Sequence, residues 1–242
     1  MSEGHQLEIP PKSHEPQSAE ALLERGEISE MRALEGYGDY EVVKIKDDGE
    51  ALFRSSSNEP ETDPFVPDRK LLRNDLEILA AKVDGVLGFN LVPTVVERTL
   101  KDKKGTLQRF VNDAKVAANF RGENLSDMVD HSEIIKAAVF DYLIEAKDRS
   151  WHNFLIDKNA KKIWLIDHDY PMWVSWDSGS VILGTAIGEG IVVLSDEIKQ
   201  SIQNLLMNID VIVSQDAKPE IRTIAEGIKK RAEKLVATGI LV

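Results

Sequence analysis

Cysteine is absent from all 242 residues. That excludes disulfides, thiolate zinc sites and a cysteine nucleophile, and it fits a reducing cytoplasm. No stretch approaches the roughly 18 consecutive apolar residues of a membrane-spanning helix. The N-terminal segment MSEGHQLEIPPKSHEPQ has no apolar signal core. Basic residues are in short supply: 30 Lys and Arg stand against 42 Asp and Glu, for a net charge of −12. An acidic surface argues against general nucleic-acid binding and against docking on anionic lipid. Internal repeats and low-complexity tracts are missing as well. Together these absences predict a cytoplasmic protein with no nucleic-acid partner and no membrane insertion.

What remains is an ordinary globular balance, 42% hydrophobic and 30% charged, on a chain long enough for a sizeable core. Proline and charge dominate residues 1–16, which read as a flexible tail. Ser18 is a good cap for a helix through AEALLERG that Gly26 ends. A short amphipathic stretch, ISEMRALEG, follows. YEVVKI and EALFRS read as two strands joined at DDG, with a glycine-containing turn, Gly36-Tyr37-Gly38, at the entrance. Residues 55–68 read as a loop. Leu72, Leu76, Leu79, Ala80, Val83 and Leu87 fall on one helical stripe over about 69–87, which Gly88 closes. LVPTVVERTL and TLQRFV are strands around KDKKG. The first 112 residues therefore predict a small antiparallel sheet with one long helix packed on it.

The second half changes character. Helical spacing over 126–147 predicts one long helix, and FLID with IWLID predicts a short hairpin. SDEIKQSIQNLLMNI and PEIRTIAEGIKKRAEKLVATG carry the helical period, with Pro219 in a first turn where its missing N–H costs little. The domain organisation that follows is a tail with a short helix over 1–26, one lobe over 27–112 and a second over 113–242.

The chemistry concentrates in EAKDRSWHNFLIDKNAKKIWLIDHD, residues 145–169. Asp148 and Asn153 lie in a loop after a helix, and Asp167 ends a strand beyond them. Phosphoryl transfer from ATP needs a carboxylate to orient and deprotonate the attacking hydroxyl, and oxygen ligands for Mg²⁺. Mg²⁺ keeps several waters, so one carboxylate and one amide oxygen suffice as protein ligands. A loop feeding a tight hairpin can aim Asp148 at substrate while turning Asn153 and Asp167 toward one metal–phosphate cluster. Each of these residues also has a plain reading, as ion pair, turn former or cap. His152 and His168 lack further His or Cys at ligand spacing and read as supporting groups. Trp151, Trp164, Trp173 and Trp176 read first as packing and loop anchors.

D-R-S-W-H-N-F followed by W-L-I-D-H-D resembles the catalytic and metal-binding loops of the protein-kinase-like superfamily. It is most similar to the phosphatidylinositol 3-/4-kinase-like branch, including its small microbial members. FDYLIEAKDR, LEILAAKVDGVLGFNLVPTVV and GTLQRFV resemble, in the correct order, the family's helix into that loop, its first-lobe helix and strand, and its strand into the adenine-binding hinge. The likeness spans roughly residues 31–170. It implies a two-lobed α+β fold with a small antiparallel-sheet N-lobe and a mostly helical C-lobe. It makes Asp148 the catalytic base and Asn153 and Asp167 the metal ligands. Glu77 becomes the helix acid that orients a phosphate-binding cation. Gly36–Gly38 would cover the phosphates, and the Gln108 to Val111 run, Phe110 included, would lie near the adenine.

The departures are specific. Arg54 stands where the family has its strand lysine, keeping the charge on a bulkier fork. His168-Asp169 replaces Phe-Gly after the metal aspartate. The stretch YPMWVSWDSGSV has no lysine or arginine for an anionic headgroup. The resemblance thus implies an ATP- and Mg²⁺-dependent phosphotransferase acting on a hydroxyl of a protein or small molecule rather than of an inositol lipid. A nucleotide-binding regulatory pseudoenzyme and an AMP-transferring enzyme are the alternatives.

Overall fold

The computed structural model describes residues 18–34, 40–46, 48–56, 73–146, 148–168, 180–188, 190–214 and 216–241. The expected tail, the Gly36–Gly38 turn, most of the 55–68 loop, Asp169, Trp173 and Trp176 lie outside them.

The first lobe runs α1 (Ala19–Arg25), β1 (Ile28–Ala33), β2 (Tyr40–Ile45), β3 (Gly49–Ser55), α2 (Arg73–Leu87), β4 (Val95–Leu100) and β5 (Lys103–Arg109). Among the described residues the strands make a five-stranded antiparallel sheet, ordered β1-β2-β3-β5-β4. Ser18 caps α1 as its sequence predicts, its hydroxyl accepting the Ala21 N–H at 3.2 Å. The ISEMRALEG stretch is extended: residues 28–33 add an edge strand to β2, with a register irregularity between Ile28 and Glu30. Only Ile28 and Met31 of that strand are partly buried. Its period is therefore neither that of a half-buried strand nor that of a strong helix, and pairing with β2 decides.

Helix α2 lies where the apolar stripe puts it, but the stripe faces elsewhere than expected. Leu76, Leu79, Ala80, Val83 and Leu87 join the main core, with the helices of the second half of the chain. The sheet has a separate small core, which includes Val43, Ile45, Phe53 and Leu107, and Leu23 of α1 belongs to it. The guanidinium of Arg98 fastens α1 there by donating to the carbonyls of Leu23 and Gly26, both at 2.6 Å. Burial pulls the Arg98 pKa down. Gly26 is obligatory at this junction, because a Cβ would run into the Leu22 carbonyl and the Ile45 side chain.

The second lobe continues with β6 (Lys115–Val116), a 3-10 turn (Ala117–Phe120), α3 (Leu125–Met128), α4 (His131–Ile144), β7 (Phe154–Asp157), β8 (Lys162–Leu165), α5 (Val181–Gly188), β9 (Val192–Val193), α6 (Asp196–Ile212), α7 (Pro219–Thr238) and β10 (Ile240–Leu241). The single helix expected over 126–147 is two. Asn124 caps α3 through its side chain, Asp130 is extended, and α4 starts afresh after it. Helix α4 ends at Glu145, held in a left-handed conformation (φ 56°) while its carboxylate meets Arg231 of α7 at 3.0 Å. FLID and IWLID form the expected hairpin, Phe154 opposite Leu165 and Leu155 opposite Trp164, with β6 alongside. Pro219 occupies the first turn of α7.

The lobes are tied behind the hairpin. The Asp84 carboxylate of α2 accepts the N–H groups of Leu91 and Val92 at 2.9 and 3.0 Å. Leu91 in turn accepts the Leu165 N–H of β8 at 2.8 Å. The strand that leads to Asp167 is therefore pinned to the end of α2. Among the described residues no helix is long and apolar enough to cross a membrane.

Candidate functional site

Between the lobes lies a cavity of about 400 Å³. Leu52 of β3, Gln108 and Phe110 at the end of β5, and Leu155 of β7 line it, with Asn153 and Asp167 on the second-lobe side. Four of the residues singled out in the sequence thus share one cleft: Gln108, Phe110, Asn153 and Asp167. The apolar walls suit a flat ring. The buried Gln108 side-chain nitrogen has no hydrogen-bond partner among the described residues.

Asp148 stands beside Asn153. Its backbone carbonyl accepts the Asn153 amide at 2.9 Å, and its Oδ2 accepts it at 3.4 Å. The donor end of the amide is thereby committed to Asp148, and the carbonyl end is the one suited to a cation. Tight local bonds make the loop: Ser150 N–H to the Asp148 carbonyl at 2.6 Å, and Asn153 N–H to the Ser150 carbonyl at 3.0 Å. His152 is exposed and lines the same cleft. Trp151 packs on Phe154 with ring centres 5.6 Å apart, the anchoring role its sequence context predicts.

Asp167 has φ of 60°. That region costs a non-glycine residue about 1 kcal/mol, and such strain persists only where neighbours impose it. Glu77 imposes it from one side. Its Oε1 accepts the His168 backbone N–H at 2.7 Å, and its Oε2 lies 3.0 Å from His168 Nδ1. The helix acid expected to orient a cation thus holds the residue next to Asp167. Burial alone pushes the Glu77 carboxyl up; the His168 contacts and the Arg54 charge outweigh it and hold the group below its ordinary range.

Arg54 is buried on β3, and its nearest approach to Glu77 is 3.9 Å. Its Nε donates to Asn74 Oδ1 at 3.1 Å and its Nη1 to the Tyr40 hydroxyl at 3.1 Å. Thr106 also donates to Asn74 Oδ1, at 3.0 Å. Arg54 and Glu77 line a water-sized cavity next to the cleft, and Tyr40, Leu52 and Gln108 border both spaces. The Arg54–Glu77 pair and the Asn153–Asp167 pair are therefore neighbours in adjoining spaces.

The residues that sequence reasoning passed over are Asp141 and Ser180. Asp141 is fully buried in α4, where it meets the Arg149 side chain, and Ser180 donates to it. The one available signal was an aspartate on the apolar face of HSEIIKAAVFDYLI.

Does this donor set suit Mg²⁺ with a nucleotide? Among the described residues no three His, Cys, Asp or Glu side chains converge as a metal cage. One amide oxygen and one carboxylate on a common wall are hard donors, the set Mg²⁺ takes when phosphates supply the remaining oxygens. The residues fit.

No protein-family model and no curated protein matches the chain. Solved structures do match in fold. The Golgi casein kinase with Mn and ADP bound gives a TM-score of 0.56 at 16% identity, over 89% of this chain and 73% of its own. A further crystal structure of the Golgi casein kinase gives 0.54 at 16%, over 89% and 72%. The proinflammatory kinase CtkA of Helicobacter pylori aligns over 90% of this chain and 95% of its own, with a TM-score of 0.47 at 10% identity. A five-stranded sheet followed by a helical lobe, matched at this level, is a protein-kinase-like fold.

Proposed function

We propose that this protein is an ATP- and Mg²⁺-dependent phosphotransferase acting on a hydroxyl acceptor. The observation that carries the reading is that Asn153 and Asp167 line one cleft while the Asn153 amide is turned onto Asp148. A divalent cation in that cleft would supply charge neutralisation for the phosphates. Asp148 receives the hydroxyl proton of the acceptor. Asn153 and Asp167 hold the cation through oxygen atoms. Arg54 steadies the phosphates from the adjoining space with Glu77 beside it, Gln108 and Phe110 border the ring, and Gly36 and Gly38 cover the phosphates. The order of the sequence segments supports a place near the phosphatidylinositol 3-/4-kinase-like branch. The stretch after Asp169, without a basic residue, supports a protein or small-molecule acceptor over an inositol lipid, and a thiol-free chain supports a cytoplasmic setting.

The test is γ-phosphate transfer by purified protein and its Asp148→Asn variant, with mass analysis of the product. Loss of the base should slow transfer by about 10²–10⁴-fold while nucleotide affinity changes little. An unchanged rate in the variant removes Asp148 as base. Nucleotide binding without turnover in the wild type establishes the regulatory reading, which Arg54 at the lysine position favours. A product carrying AMP establishes adenylyl transfer.

A further inference from the structure

Arg149 follows Asp148 directly, yet its side chain turns inward and is 2% exposed. Its Nε lies 3.1 and 3.2 Å from the two oxygens of Asp141, whose side chain is wholly buried. Its Nη1 donates to the backbone carbonyls of Asn153 at 2.6 Å and Ile166 at 2.7 Å. Asn153 is one proposed cation ligand, and Ile166 immediately precedes the other. The same Asn153 carbonyl accepts the Ile166 N–H at 3.2 Å. On the far side, the Ser180 hydroxyl donates to Asp141 Oδ2 at 2.6 Å, and the Val181 N–H donates to the Arg149 carbonyl at 3.0 Å.

We propose that Arg149, braced by Asp141 and Ser180, is the positioning residue that sets the spacing between Asn153 and Asp167. A planar guanidinium presents its donors in a fixed fork, so the carbonyls it holds cannot drift apart independently. With Arg149 gripping the carbonyl before Asp167 and Glu77 gripping the N–H after it, the left-handed conformation of Asp167 is fixed from both sides. The device serves the chemistry without touching it: Arg149 acts only on the backbone of residues that bear the ligands. Asp141 keeps the buried cation from being drawn toward the cleft, where it would repel a metal ion. This proposal rests on the phosphotransfer reading.

The experiment uses Arg149→Lys in the full chain, which keeps the charge and gives up the fork. Two quantities are read: the Mg²⁺ dependence of binding of a non-hydrolysable ATP analogue, and amide hydrogen exchange over 150–168 with α6 and α7 as internal reference. Expected are an apparent Mg²⁺ affinity lower by about 10-fold or more, metal-free nucleotide affinity close to wild type, and faster exchange confined to 150–168. Uniformly faster exchange with an unchanged Mg²⁺ dependence makes Arg149 merely structural and overturns the proposal. Should Arg149→Lys fail to fold, Ser180→Ala, which leaves the ion pair in place, decides: a smaller loss of Mg²⁺ affinity supports the proposal, and none overturns it. Wild-type protein without any Mg²⁺-dependent nucleotide binding overturns the phosphotransfer reading itself, and this proposal with it. Failure seen only in the variants overturns the positioning role alone.

Discussion

Two arginines are buried on opposite sides of the cleft, and they are held in different ways. Arg149 is 2% exposed and Arg54 is 4% exposed. Arg149 has a dedicated carboxylate, Asp141, at 3.1 Å. Arg54 approaches its carboxylate only to 3.9 Å, and that carboxylate is engaged by His168 at two points. Its Nε and Nη1 donate to neutral oxygens, those of Asn74 and Tyr40. A charge neutralised at short range in the interior is structural. Arg54 instead lines a small space that adjoins the cleft and shares Tyr40, Leu52 and Gln108 with it. The contrast separates a residue that shapes the site from one suited to take part in it.

The sharpest way to break this contrast is to remove each side of it. Asp141→Ala leaves Arg149 charged, buried and unpaired, which should cost about 3–5 kcal/mol of stability. Arg54→Met takes a donor away from the neutral oxygens of Asn74 and Tyr40, at a cost of about 1–3 kcal/mol. Nucleotide binding should respond in the opposite order: Arg54→Met lowers ATP-analogue affinity by about 10-fold or more, as loss of a charge-assisted bond does. Urea unfolding and calorimetric titration measure the two effects. Equal destabilisation by the two substitutions, with unchanged affinity in Arg54→Met, would erase the distinction.

Two buried acids of α2, Glu77 and Asp84, form a second pair of opposites. The Glu77 carboxyl is held below its ordinary value; the Asp84 carboxyl is pushed above its own, chiefly by burial, which two backbone N–H groups only partly offset. The signs follow from linkage. Glu77 contributes stability that is present above its unfolded value of 4.5 and is lost as the pH falls through the lower folded value. For Asp84, ionisation is costlier in the folded state, so stability is recovered as the pH falls through its raised value toward 3.8. Glu77→Gln should therefore flatten the loss of stability below pH 4.5, and Asp84→Asn should steepen it over the acid range. Unfolding free energies from pH 7 down into that range check both. Parallel shifts of the two curves would refute the assignment of opposite roles.

Much of this was legible in the residue order. Asp148, Asn153 and Asp167 draw attention because their order, in a polar loop and beside the short apolar runs FLID and IWLID, resembles a phosphotransfer loop, and Ser18, Pro219 and the FLID–IWLID hairpin follow from local rules of capping and turn geometry. What could not be read depends on partners distant in sequence. Helix α2 shows one apolar stripe, and nothing in that stripe says that it faces the second lobe while Leu23, from a seven-residue helix, serves the sheet. Residues 28–33 have no decisive period, so β2 settles their state from outside. Glu77 looks like a partner for Arg54 by position. That His168 also engages its carboxylate, at two points, depends on how a loop 91 residues away arrives.

The finest cut between the two arginines is at Ser180. Its hydroxyl serves twice, donating to Asp141 Oδ2 at 2.6 Å and accepting the Leu183 N–H at 3.0 Å in the first turn of α5. Ser180→Ala removes a helix cap and one bond to a carboxylate that remains paired with Arg149. The cost should be about 1 kcal/mol, the range of a lost cap or a single partly buried hydrogen bond. In the double variant Ser180→Ala with Asp141→Asn the Ser180 cost should shrink to the capping part alone, because the acceptor charge is gone. With Arg54→Met the costs should simply add, since Arg54 donates to Asn74 and Tyr40 while Ser180 donates to Asp141. Coupling to Asp141 and additivity with Arg54, read from the two double-mutant cycles, would mark the clamp and the phosphate-side cluster as separate units. Strong coupling to Arg54 would instead join them into one network through Glu77, His168 and Asp167.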